Sequence, residues 1–122
     1  MLKRVLVIDD EELLGQTIQL GLEDSYEVEL QTRGEAGLNR ALSGDEFAVI
    51  LCDLSLPDLS GAEIFANLSQ RRPDLLERFV VMTGGAVNTQ SRDFLDAYNG
   101  RILNKPFTLG AVESLVEEVV GH

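Results

Sequence analysis

The 122-residue chain has one cysteine, Cys52, and one histidine, His122, which is its last residue. A lone cysteine excludes an internal disulfide and suits a reducing compartment. Set within an apolar run, it reads as a small core residue. A single terminal histidine supports no site and leaves a serine or cysteine hydrolase without its base. Basic residues are also scarce: 10 Lys and Arg stand against 21 Asp and Glu, a formal net charge of -11. An acidic surface is repelled by phosphate backbones and anionic lipid, which argues against direct binding of nucleic acid or membrane. There is no long hydrophobic run. Residues 5–8 are apolar but are followed by two aspartates, so no secretory signal is expected and the cytoplasm is the default location. No Gly-x4-Gly-Lys-Ser/Thr occurs, and no G-x-G-x-x-G follows the first strand, which removes P-loop and dinucleotide chemistry. Repeats, low-complexity tracts and Pro/Ser-rich linkers are missing too, so 1–122 is read as a single domain.

What remains is ordinary globular material, 44% apolar and 25% charged, long enough to bury a core without staples. Strand-like and helix-like segments alternate five times. Residues 4–8 read as a short buried strand, followed by Asp9-Asp10-Glu11-Glu12 where negative charge suits a helix start. Leu14, Ile18, Gly21 and Leu22 recur at helical spacing to about Glu23. Residues 26–31 alternate strictly between apolar and polar, as at a sheet edge. Leu38, Ala41 and Leu42 mark a second helix ending near Gly44. The run 47–52 is a strand buried on both faces, and it stops at Asp53. Ser60-Gly61-Ala62-Glu63 matches a capping box ahead of Ile64, Phe65 and Leu68, and Pro73 ends that helix. Residues 79–82 form a fourth strand closed by Thr83-Gly84-Gly85. Phe94, Leu95 and Tyr98 indicate a fourth helix and 101–103 a short fifth strand before Asn104-Lys105-Pro106. The last helix, from about Thr108, buries Val112, Leu115, Val116 and Val119.

Five β-α pairs in succession imply a parallel sheet with helices on both faces. The carboxyl ends of its strands then share one edge, which brings Asp9, Asp10, Asp53, Thr83 and Lys105 to the same side. Three crowded carboxylates need a cation, and oxygen donors without His or Cys suit Mg²⁺. Lys105 can pair with Asp53 or a phosphoryl oxygen. Thr83 offers a hydroxyl, and Gly84 and Gly85 let backbone N–H groups approach an anion. These parts resemble a phosphoryl-transfer site with a carboxylate nucleophile.

The acidic pair Asp9-Asp10, Asp53 with its Leu-Pro-x-x-x-Gly loop, Thr83 and the Lys105-Pro106-Phe107 turn resemble, over essentially the whole chain, the receiver domain of two-component response regulators, the CheY-like superfamily. The resemblance implies a flavodoxin-like (βα)5 doubly wound parallel sheet in strand order 2-1-3-4-5. It implies that Asp53 accepts a phosphoryl group from a phosphohistidine on a histidine kinase or histidine phosphotransfer protein. Mg²⁺ or Mn²⁺ would be held by Asp9 or Asp10, Asp53 and the backbone carbonyl of Ser55. Lys105 and Thr83 would contact the phosphoryl oxygens and shift the surface of the fourth helix, fifth strand and fifth helix. A cis peptide before Pro106 is also implied. Leu13, Leu14, Gln16 and Phe107 lie where receivers meet their kinases, and a homodimer through the last two helices stays open. The switch position, usually Tyr or Phe, is Ile102, so aromatic gating is not expected. The glycine-rich loop from Thr83 looks like receivers of hybrid sensor kinases. Small residues at Ser55 and Gly85 imply no unusually slow loss of the phosphoryl group. No DNA-binding segment follows the last helix, so the expectation is a stand-alone receiver or one taken from a longer chain. The alternatives are a receiver-like interaction module that works without phosphorylation and a metal-dependent phosphatase with a strand-end aspartate. The phosphatase would need a second aspartate where Ser55 stands.

Overall fold

The computed structural model describes residues 2–84 and 88–121. Its elements are β1 (Lys3–Ile8), α1 (Glu12–Leu22), β2 (Tyr26–Gln31), α2 (Gly34–Ala41), β3 (Val49–Asp53), α3 (Gly61–Arg71), β4 (Phe79–Thr83), α4 (Thr89–Ala97), β5 (Arg101–Asn104) and α5 (Leu109–Val120). The strands form one parallel sheet in the order β2-β1-β3-β4-β5, as the resemblance implies. β3 and β4 are buried along their whole length, which is why they read as unbroken apolar runs. β2, at the edge, is half-buried along its length, with Glu27 its one exposed residue.

Each face of the sheet carries its own core. On one side Leu6, Ile8, Ile50, Cys52 and Val81 pack with Leu38 of α2 and with Ile64 and Leu68 of α3. On the other, Val5, Val7, Val49, Leu51, Val80 and Met82 pack with Ile18 and Leu22 of α1 and with Val112, Val116 and Val119 of α5. Burial of this kind supplies most of the driving force for folding. Cys52 is fully buried, and its thiol pKa is pushed up by burial and by the charges of Asp53 and Asp9. None of the described helices is long and apolar enough to cross a membrane.

Several segment boundaries depart from the sequence reading: β1 begins at Lys3, β4 and β5 run on through Thr83 and Asn104, and Tyr98 lies just beyond α4. Phe47 and Ala48 precede β3, although Ala48 already donates its N–H to the Arg4 carbonyl at 2.8 Å. Pro73 starts a 3-10 helix, Pro73–Arg78, where no element was expected. Proline suits a first helical turn because its missing N–H would have no partner there. The box at α3 is only half formed: the Ser60 hydroxyl accepts from the Glu63 N–H at 3.1 Å, but the Glu63 carboxylate accepts from that hydroxyl rather than from the backbone.

Candidate functional site

Parallel pairing puts the strand ends side by side. Ile8 lies beside Cys52, Asp53 beside Met82 and Thr83 beside Asn104. The next residues along therefore gather at one edge. Asp53 and Thr83 are buried, and Asp9 is fully buried. Lys105 closes the group. Its Nζ donates to Asp9 Oδ2 at 2.9 Å, to Glu11 Oε1 at 3.0 Å and to Asp53 Oδ2 at 3.3 Å. One carboxylate oxygen from each of Asp9, Asp10 and Asp53 lies within 4.8 Å of the others, and Asp10 is the exposed member.

The backbone holds these groups in place. Asp9 Oδ1 accepts from the Glu11 N–H at 2.9 Å, which orients the carboxylate in the turn that leads into α1. Asp53 Oδ1 accepts from the Ser55 N–H at 3.2 Å. The Lys105 N–H donates to the Thr83 carbonyl at 2.7 Å, and the Lys105-Pro106 peptide is cis. Two glycines permit the close approach. A Cβ on Gly61 would lie 2.7 Å from the Asp53 carbonyl oxygen and 2.8 Å from Leu54 Cα, so α3 begins directly against the backbone that carries Asp53. A Cβ on Gly84 would lie 2.7 Å from Lys105 Cβ and 2.9 Å from its carbonyl oxygen. Gly84 thus has a packing reason beside the anion-approach role read from the sequence, while Gly85 lies outside the described residues.

The electrostatics follow from this crowding. Burial, and then the Asp9 charge, raise the Asp53 pKa to about 6 against the opposing pull of Lys105 and the Ser55 N–H. Burial alone would lower the Lys105 pKa, but hydrogen bonds to Asp9 and Glu11 and the charges of Asp53 and Asp9 outweigh it, and the ammonium is held well above its ordinary range. Hard oxygen donors that repel one another suit a small divalent cation, so the residues present fit Mg²⁺.

Two contributors were missed at the sequence level. The sequence offers Glu11 only as charge at a helix start, yet it is a direct partner of Lys105. Asp58 reaches from the loop after β3 to accept the Gly34 and Glu35 N–H groups at 2.8 and 3.0 Å, tying that loop to the start of α2. A helix whose N-cap side chain makes no capping bond, here Arg33, is the one local signal that such a remote cap is needed. Ile102 sits on β5 and is 38% exposed. Nearby aromatics lie instead between α3, α4 and β4. Phe65 packs edge-on to Phe79, Phe94 and Tyr98 at 5.3, 5.4 and 5.4 Å, and the Tyr98 hydroxyl is 3.2 Å from the carbonyl oxygens of both Phe79 and Arg101.

The family model described as the response regulator receiver domain matches residues 5–117. The response regulator protein PmrA of Pseudomonas aeruginosa is 35% identical over 114 residues, covering 93% of this chain and 50% of that protein. The chain thus spans about half the length of such a relative. A CheY-like response regulator receiver domain protein from Methanospirillum hungatei superposes with a TM-score of 0.82 at 26% identity, covering 99% of this chain and 95% of the other. At 20% identity, which speaks for the fold alone, the receiver domain of sensor histidine kinase PA1611 from Pseudomonas aeruginosa reaches 0.85 over the whole of both chains. That structure was solved with magnesium ion coordinated in its active site cleft. A sequence match running nearly from end to end, over a sheet in this strand order, places the chain in the response regulator receiver domain family.

Proposed function

We propose that Asp53 is the phosphoacceptor of a two-component phosphorelay, charged by a phosphohistidine on a histidine kinase or histidine phosphotransfer protein. An Asp53 carboxylate oxygen forms the new P–O bond as the P–N bond to the imidazole breaks, and the imidazole nitrogen keeps the electron pair. Later attack by water on phosphorus returns the carboxylate and inorganic phosphate, so the domain acts as a self-resetting switch. The observation that carries this reading is the convergence of Lys105 on Asp9 and Asp53, residues 96 and 52 positions away in sequence.

Asp9 and Asp53 each accept two hydrogen bonds, one from a backbone N–H and one from Lys105, and each oxygen keeps a lone pair for a cation. Asp9 or Asp10, with Asp53 and the Ser55 carbonyl, would hold Mg²⁺. When bound, the metal supplies neutralising charge to the carboxylates and to the phosphoryl oxygens. Lys105 neutralises and orients a phosphoryl oxygen, and the Thr83 hydroxyl donates to another. Thr83 and Lys105 are joined through the backbone, so their rearrangement carries to β5 and α4. With Ile102 in place of an aromatic, the route to α4 runs through the ring cluster at Phe65, Phe94 and Tyr98.

The test is incubation with acetyl phosphate and Mg²⁺, followed by intact mass. Wild type gains one phosphoryl group and Asp53→Asn gains none. No gain in either chain returns the reading to a module that works without phosphorylation, and steady turnover of added phosphoesters returns it to a phosphatase. Ser55 is exposed and small, so the phosphoryl group is expected to be lost well before many hours have passed. A longer half-life would contradict free access of water.

A further inference from the structure

An ammonium group has three protons to donate, and three carboxylates occupy Lys105: Asp9 at 2.9 Å, Glu11 at 3.0 Å and Asp53 at 3.3 Å. No proton is left for an incoming phosphoryl oxygen, so one contact must be given up during phosphorylation. Asp9 is fully buried and is also held by the Glu11 N–H. Asp53, on the reading above, loses its charge on receiving the phosphoryl, so its contact with Lys105 passes to one phosphoryl oxygen, and a second phosphoryl oxygen needs a further contact to be given up. The Glu11 side chain is 62% exposed, and an exposed carboxylate returns to water at little cost.

We propose that Glu11 is a displaceable latch on Lys105. In the unphosphorylated chain its carboxylate occupies one ammonium proton and holds the side chain over the pocket. When the P–O bond to Asp53 forms and the donor's leaving group departs with the bonding electron pair, a phosphoryl oxygen takes the place of Glu11 Oε1. The released carboxylate then turns outward at the start of α1. Glu11 is thus a positioning residue that competes with the phosphoryl group for its lysine. The inference rests on Asp53 being the phosphoacceptor.

Length and charge can be separated in the test. Glu11→Gln removes the charge, whereas Glu11→Asp keeps it but shortens the side chain by one methylene and withdraws it from Nζ. The probe is beryllofluoride with Mg²⁺, a stable mimic of the phosphoryl group on a carboxylate. Both variants are expected to bind it roughly two- to five-fold more tightly than wild type, the range set by loss of one solvent-exposed ion pair. A second readout needs no ligand: the ¹H–¹⁵N signal of the Lys105 ammonium should shift, and its protons exchange faster, in both variants. If Glu11→Asp behaves as wild type while Glu11→Gln differs, only the general charge matters and the latch is refuted. Unchanged affinity in both variants refutes it as well. If wild type itself binds no beryllofluoride, the phosphoacceptor reading falls and the latch falls with it.

Discussion

Burial and the neighbouring Asp9 carboxylate raise the Asp53 pKa from the ordinary 3.8 to about 6. Between those values the folded chain holds a proton at Asp53 that the unfolded chain has already released. Stability therefore falls as pH rises through this window, and the penalty is complete above it. Asp53→Asn removes the penalty. In chelator at pH 7.5, urea unfolding should find the variant more stable by about 1–2 kcal/mol, discounted from the full shift because the pocket opens to solvent. The difference should fade towards pH 4; an Asn variant that is less stable at pH 7.5 would refute the crowding of charge. At this scale the sequence was legible where a residue ends a strand, as Asp9, Asp53 and Lys105 do, because parallel topology alone brings such residues to one edge. Glu11 was not legible as a lysine partner. Its contact spans 94 positions and depends on a side-chain direction that no periodicity encodes.

Among the elements, α3 and β3 are the pair that sets the site. The Ser60 cap fixes where α3 begins, and Gly61 lets that first turn touch the Asp53 carbonyl. Both features stand in the sequence as a capping residue followed by glycine, but the reason for the glycine appears only when the two backbones are seen together. Gly61→Ala should force them apart. The expected cost is roughly 1–3 kcal/mol in urea unfolding, with a weaker stabilising response to Mg²⁺ than wild type because Asp53 is displaced. A variant that unfolds like wild type and keeps its full metal response would contradict this account of the contact. The apolar–polar alternation of residues 26–31 and the apolar runs of β3 and β4 made their places in the sheet legible, although β2 is half-buried almost throughout. Phe47 extended the apparent strand because an apolar residue buried just before a strand looks like part of it. The cap that Asp58 gives α2 was illegible for the same reason as Glu11, since it joins segments distant in sequence.

Over the whole molecule, two apolar cores on opposite faces of one sheet hold a rigid frame, and the acidic cluster sits at its carboxyl edge. Charge is poorly balanced there and in the chain at large, which carries a formal -11. A divalent cation that binds only the folded state should therefore raise the melting temperature, increasingly so through the millimolar range. The rise should be lost in Asp10→Asn. No rise in wild type, or an equal rise in Asp10→Asn, would detach the cluster from metal binding. The most direct measurement traps the acyl phosphate itself. After treatment with acetyl phosphate and Mg²⁺, borohydride reduces an aspartyl phosphate to homoserine, and peptide mapping locates the change. Homoserine at position 53 is the predicted result; homoserine at another aspartate, or at none, would contradict the account.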